Sequence, residues 1–309
     1  MGILIVVFSL KRNSNMKIET LAAIDIGSNA IRLLISNVEI NASNNDFKKT
    51  VFIRLPIRLG EEVFTKMKIG DNKKEQLIHA MVAFSHIMQA CGVSKYRACG
   101  TSAMREAVDG EEIKNIVLAE SGIDIDIISG QEEADIIFEA GGLKKIMAKN
   151  TNYLYVDVGG GSTEVILYSN QEKLNANSFQ IGAVRMLSKA VKKTEFLRFQ
   201  KWLETIQKDY SPLSIIASGG NINKIHKILS KKDYEPIKYP EIKLLYNTLS
   251  PMSFEERMRN YKLDTHRADV IMPALEIFLL ICNLCSVKDI YVPKIGIADG
   301  IIHDLKKKS

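Results

Sequence analysis

Ile24-Asp25-Ile26-Gly27-Ser28-Asn29-Ala30-Ile31-Arg32-Leu33-Leu34-Ile35 and Val156-Asp157-Val158-Gly159-Gly160-Gly161-Ser162-Thr163-Glu164-Val165-Ile166-Leu167 are two copies of one pattern. They align without a gap, Asp25 on Asp157 and Arg32 on Glu164. Each is an apolar strand, an Asp-x-Gly turn with small polar residues, and a second apolar strand. Apolar runs joined by a glycine turn predict β-hairpins. One repeat at so long a spacing predicts a duplicated domain rather than a solenoid.

Working outward, strand patterns run into turns and helices. Tyr96–Cys99 leads into Gly100-Thr101-Ser102 and a helix from Ala103. Ile123–Ile128 leads into Ser129-Gly130 and a helix from Gln131, with Ser129 as its cap and Glu132 and Glu133 in its first turn. Leu213–Ala217 leads into Ser218-Gly219-Gly220 and another helix, and Ile290–Val292 precedes a last one. Met186–Tyr210 and Met258–Ser286 read as helical stretches. Hairpins followed by strand–helix units predict an α/β fold with mixed, helix-covered sheets.

The chain has 309 residues, 46% hydrophobic and 25% charged, with a net charge of +6. This is the composition of a globular protein of about two domains, not of a disordered chain or a disulfide miniprotein. The short lysine runs read as solvated surface rather than a clustered nucleic-acid face. Four cysteines fit a reducing, cytoplasmic setting. Cys282 and Cys285 form a CxxC without a second pair, so they read as buried thiols. The apolar stretch Gly2–Leu10 is too short to span a bilayer and its basic residues follow it. Residues 1–16 are therefore expected to be an extension, with no membrane partner.

Successive free N–H groups in a glycine turn make an anion nest. Gly159-Gly160-Gly161-Ser162-Thr163 and Gly27-Ser28-Asn29 are such turns. An Asp at the end of each preceding strand faces phosphate oxygens only with a cation between them, for which Mg²⁺ is the usual choice. There is no GxxxxGK[ST], GxGxxG or HExxH.

The first hairpin resembles the first phosphate motif of the exopolyphosphatase / guanosine pentaphosphate phosphohydrolase (Ppx/GppA) family. Gly100 to Ala107, Ile128 to Ala134, Asp157 to Glu164, Gly182-Ala183-Val184-Arg185, Ala217 to Gly220 and Arg267 to Ile271 resemble that family's further motifs, in order. The resemblance implies two ribonuclease-H-like domains of the actin / sugar kinase / Hsp70 type facing a central cleft. It sets domain I at 17–130 plus 296–309 and domain II at 131–295, the short two-domain form. It implies hydrolysis of a terminal phosphoanhydride, with Glu133 as the base for the attacking water and Arg105 gripping phosphate. Asp25, Asp157 and Glu164 would be linked to Mg²⁺. Gly27, Ser28, Asn29, Arg32, Gly159, Gly160, Gly161, Ser162, Thr163, Gly219 and Gly220 would cradle phosphates.

Adjacent helix residues point about 100° apart, so only one of Glu132 and Glu133 should face the cleft. The implied substrate is inorganic polyphosphate. The alternatives are pppGpp cleaved at its 5′ end, a non-catalytic sensor, or a kinase. A homodimer is implied by the family alone. The five histidines match no catalytic position. Two departures stand out: Ala30 replaces a Ser or Thr, and Gly296-Ile297-Ala298-Asp299-Gly300 replaces Gly-Leu-Arg-Glu-Gly, losing an Arg.

Overall fold

The computed structural model describes residues 17–41, 47–139 and 146–309; the extension expected at 1–16 lies outside them. In the first half β1 (Ile18–Ile26), β2 (Ile31–Glu39) and β3 (Lys48–Leu55) form an antiparallel meander. Helices α1 (Gly60–Lys66) and α2 (Asp71–Ala90) lead to β4 (Lys95–Gly100), and α3 (Ser102–Glu106) and α4 (Gly110–Ser121) to β5 (Ile125–Ile127). After α5 (Gly130–Glu139) the plan repeats with β6 (Asn152–Val158), β7 (Thr163–Ser169) and β8 (Glu172–Phe179). Then come α6 (Ala183–Leu187), α7 (Lys193–Tyr210), β9 (Leu213–Ser218), α8 (Gly220–Ile228) and β10 (Ile237–Lys238). The chain ends with α9 (Tyr239–Leu249), α10 (Phe254–Tyr261), α11 (Thr265–Ala268), α12 (Ile271–Leu284), β11 (Asp289–Tyr291) and α13 (Ile297–Lys307).

The sheet orders are β3-β2-β1-β4-β5 and β8-β7-β6-β9-β11-β10. In each, the central strand pairs antiparallel with its hairpin partner and parallel with the strand of the next unit. The duplication holds to the residue: Asp25 pairs across the strands with Arg32, and Asp157 with Glu164. The α/β fold of two facing halves expected from the sequence is the one observed.

β1 and β6 are apolar nearly throughout because helices cover both faces. Ala22, Ile24 and Ile26 join the large core shared with the α2 stripe Leu77, Ala80, Met81, Phe84 and Met88. Leu21 and Ala23 face a second cluster with Ile136 and Ile137 of α5 and Ile297, Ile301 and Ile302 of α13. Thus α13, last in sequence, packs on β1 of the first sheet and on α5, which also lies against β7 and β8 of the second. Trp202 packs edge-on against Phe179, centroids 5.7 Å apart. The Cys282 and Cys285 thiols are buried, and burial pushes both pKa values up.

Two expected helices are broken. Met186–Tyr210 divides into the end of α6 and α7, with Lys189 left-handed between them (φ 53°). Met258–Ser286 divides into α10, α11 and α12; Lys262, left-handed at φ 48°, caps the first. Among the described residues no helix is long and apolar enough to cross a membrane.

Candidate active site

The two hairpin turns meet at the floor of a cavity of ≈ 290 Å³. In the first turn Gly27 N–H donates to Ala30 O (3.2 Å). The carbonyls of Ser28 and Asn29 accept from behind, from the N–H groups of Gly60 (2.9 Å) and Arg58 (3.2 Å). In the second, Gly159 N–H donates to Ser162 O (3.0 Å). The Gly159 carbonyl accepts from Ala183 N–H (3.0 Å), and that of Gly160 from Val184 N–H (2.8 Å) and Arg185 N–H (3.0 Å). The Gly161 carbonyl accepts from Arg185 Nε (2.7 Å).

In a trans peptide the C=O and the following N–H point opposite ways. Carbonyls held from behind therefore turn the N–H groups of Asn29, Ala30, Gly160, Gly161 and Ser162 toward the cavity these residues line. None of these five meets an acceptor among the described residues. Gly182 makes the backing possible: a Cβ there would lie 2.5 Å from the Gly160 backbone. At the start of α8, Gly219 sits at φ +105°, and its missing Cβ leaves room for the Asp157 carboxylate.

Three carboxylates converge on this floor. Asp25 and Asp157 line the cavity, and Asp25 is ion-paired with Arg32. Asp157 is pushed up to about 6 by burial, with the Asp25 charge adding and the Ser218 hydroxyl and Arg32 opposing. Glu133, from the first turn of α5, also lines the cavity. Its Oε2 is buried with no hydrogen-bond partner among the described residues. Burial holds its pKa well above the ordinary carboxylate range; Glu164, Asp157 and Asp25 add to the rise and Arg105 opposes it. Ser129 caps the helix as expected, its Oγ accepting from Glu132 N–H (3.1 Å). Glu132 points outward to Arg97 (2.7 Å), so Glu133 is the one of the pair that faces the cleft.

Asp25, Gly27, Ser28, Asn29, Arg32, Glu133, Asp157, Gly159, Gly160, Gly161, Ser162, Gly219 and Gly220 thus line one cavity. Three predicted residues do not. Thr163, at the start of β7, is fully buried, and its Oγ1 donates to Ile181 O (2.5 Å). Glu164 is buried behind the turn, where it accepts from Ser162 Oγ (2.6 Å) and Ser178 Oγ (3.0 Å). The Arg105 guanidinium donates to Ile128 O (2.6 Å). Among the described residues no group of three His, Cys, Asp or Glu is placed to hold a metal alone. Of the three carboxylates expected at the metal, Asp25 and Asp157 line the cavity, and Glu164 lies behind the turn with its Oε1 accepting from both hydroxyls.

Sequence reading missed the far wall. Lys49, Phe52 and Arg54 of β3 line the cavity with Arg267 and Lys294. Burial lowers the Arg54 pKa to about 10, and the charges of Arg267, Arg32 and Arg58 add to this. Arg32, Arg54 and Arg267 lining one cavity make it a pocket suited to a polyanion. Arg267 is anchored by donation to Gly220 O (2.7 Å). At the departure from the family pattern, Asp299 caps α13 by accepting from Gly296 N–H (3.0 Å) and pairs with Lys49 (2.5 Å), while Ala298 lines the cavity. His226 and His303 are buried away from the cavity and His79 is on the surface.

The fold is shared with solved proteins. A Cytophaga hutchinsonii exopolyphosphatase is 22% identical with a TM-score of 0.81, covering 94% of this chain and 98% of its own. An Aquifex aeolicus Ppx/GppA family member is 23% identical with a TM-score of 0.75, covering 94% and 99%. The guanosine-5′-triphosphate,3′-diphosphate pyrophosphatase of Aeromonas hydrophila is 24% identical over 297 residues, 92% of this chain; the chain spans 59% of that relative's length. Exopolyphosphatase 1 of Mycobacterium tuberculosis is 28% identical over 167 residues, 54% of this chain and 47% of its own. The pattern of one family matches residues 53–309, from the edge of the first sheet through the last helix, and the chain belongs to the Ppx/GppA phosphatase family.

Proposed function

We propose that this protein is an exopolyphosphatase, removing the terminal phosphate of inorganic polyphosphate by attack of water. The observation that carries the reading is that, among the described residues, the buried Oε2 of Glu133 has no partner and five N–H groups on the cavity floor have no acceptor. The hairpin N–H groups hold the terminal phosphoryl oxygens. Glu133 accepts a proton from the water as its oxygen bonds to phosphorus. The bond from phosphorus to the bridging oxygen breaks, and the shortened chain leaves with that oxygen and its charge. Arg32, Arg54 and Arg267 match the charge of the remaining phosphates.

A divalent cation fits the residues present. Asp157 is held above its ordinary pKa in a negative corner, and Mg²⁺ asks for only one or two carboxylates besides water and phosphate oxygens. Asp157 and Asp25 would hold it, and when bound it would neutralise phosphate charge.

A second reading, pppGpp cleaved at its 5′ end, draws on one corner of the cavity. Phe52 is 60% exposed and lines the cavity with Ile295, Ile297 and Ala298, two residues along the strand from Arg54. An aromatic face beside a guanidinium suits a nucleobase.

The test is orthophosphate release with Mg²⁺ from tripolyphosphate, long-chain polyphosphate and pppGpp. Release from polyphosphate at the higher kcat/KM is expected. Preference for pppGpp, with Phe52→Ala lowering kcat/KM about tenfold for that substrate and leaving tripolyphosphate unchanged, would replace the first reading by the second. Folded protein releasing phosphate from none of the three would end the enzyme reading in favour of a sensor.

A further inference from the structure

Two buried arginines back the two hairpins, and each reaches into the opposite half. Arg58 follows β3 of the first half; its backbone N–H holds the Asn29 carbonyl, and its side chain pairs with Asp269 of the second half (2.7 Å). Arg185 of α6 belongs to the second half; its backbone N–H holds the Gly160 carbonyl. Its guanidinium donates to Gly161 O (2.7 Å) and pairs with Glu106 of α3 in the first half (2.5 Å). It also lies over the Phe64 ring of α1 (3.9 Å) and within 3.4 Å of Ser102 Oγ, which in turn donates to Glu106 (2.9 Å). Only 5% of Arg185 is exposed, and it does not line the cavity.

We propose that Arg185 is a positioning residue. Its fork fixes the plane of the Gly161–Ser162 peptide, so that the Ser162 N–H faces the cavity, and ties that peptide to α3, the helix that carries Arg105. The backbone N–H groups of α6 secure the Gly159 and Gly160 carbonyls, but the Gly161 carbonyl accepts only from this side chain among the described residues. Without it that peptide is free to rotate, and one donor of the cradle is lost together with the link between the halves. A planar guanidinium serves a carbonyl and a carboxylate at once; an ammonium on a flexible stem does not hold both in one plane. The functional part of this inference rests on the phosphate-cleaving reading above; the positional part does not.

The experiment compares Arg185→Gln, Arg185→Lys and the double variant Arg185→Gln/Glu106→Gln. The single Gln variant leaves Glu106 buried and unpaired, which destabilises the protein; the double variant removes that charge. Amide hydrogen exchange over residues 159–164 and 102–106 is read alongside kcat and KM on tripolyphosphate. Exchange is expected to rise in both segments in all three variants. kcat is expected to fall about 10²-fold in the double variant, the usual cost of one misplaced transition-state donor. KM should change less than threefold there, because the rest of the chain keeps its own contacts. Arg185→Lys should remain at least tenfold down in kcat. Unchanged exchange overturns the inference whatever the activity. So does wild-type kcat in the double variant, which would make Arg185 a stabilising ion pair and nothing more. Raised exchange with a wild type that cleaves no phosphate would leave the positioning role standing and remove the proposed activity.

Discussion

Glu133→Gln is expected to lower kcat for phosphate release by about 10³-fold while leaving the protein folded. The substitution keeps the shape of the side chain and removes its capacity to take a proton. Glu133 lines the cavity, and its buried Oε2 is satisfied by no group in the described structure. The carboxylate must be ionised to act, and burial with three neighbouring carboxylates holds its pKa well above the ordinary range. The active fraction therefore grows as pH rises through that raised value. A kcat/KM profile between pH 5 and pH 9 should still climb above the pH at which an ordinary glutamate is fully ionised in the wild type, and lie flat in the variant. Glu132→Gln, which loses only an outward pair with Arg97, should stay within about twofold of wild type. A Glu133→Gln enzyme keeping a third of its kcat, or a wild-type profile already flat from pH 5, would take the base role away from this residue.

Asp157→Asn should stabilise the metal-free protein at pH 8 and abolish most of its turnover. The Asp157 carboxyl is raised from 3.8 to about 6 by burial. A raised carboxyl favours the folded state fully below the unfolded pKa, and that benefit is lost as pH rises through the folded one. Above pH 6 the buried charge costs up to about 3 kcal/mol, which the amide does not incur. The variant should melt higher than wild type at pH 8, with the gap closing below pH 4. Millimolar Mg²⁺ should narrow the gap at pH 8 by stabilising the wild type more than the variant. An Asn variant that melts lower than wild type at pH 8 without Mg²⁺ would show that Asp157 is held by favourable contacts rather than against burial.

The glycine hairpins were legible because few structures other than an anion-binding turn use Asp, three glycines and two hydroxyls in a row, and because the second copy repeats the first. The edge strands were not. Lys48–Leu55 and Glu172–Phe179 are mostly exposed or half-exposed and lack a clean apolar alternation, since only one neighbour pairs with each. Missing β3 meant missing Arg54 and Phe52, which its pairing with β2 brings to the cavity. Thr163 and Glu164 shared a motif with residues that do line the cavity, but the lining ends at the turn, and the strand that follows buries Thr163 on one face and Glu164 on the other. The breaks at Lys189 and Lys262 have no sequence signal, because lysine seldom adopts the left-handed conformation that ends those helices.

The duplicated hairpins differ at one cross-strand position. Opposite Asp25 the chain carries Arg32, and opposite Asp157 it carries Glu164. One hairpin therefore carries an ion pair across its strands and the other two carboxyls, and of the cavity's arginines Arg32 and Arg54 come from the first sheet. A linear chain of phosphates is itself nearly symmetric end to end. Under the proposed activity the single exchange gives the cleft a heading: the less acidic copy is the better seat for trailing phosphates, and the end to be cut lies at the copy whose carboxyls neighbour Glu133.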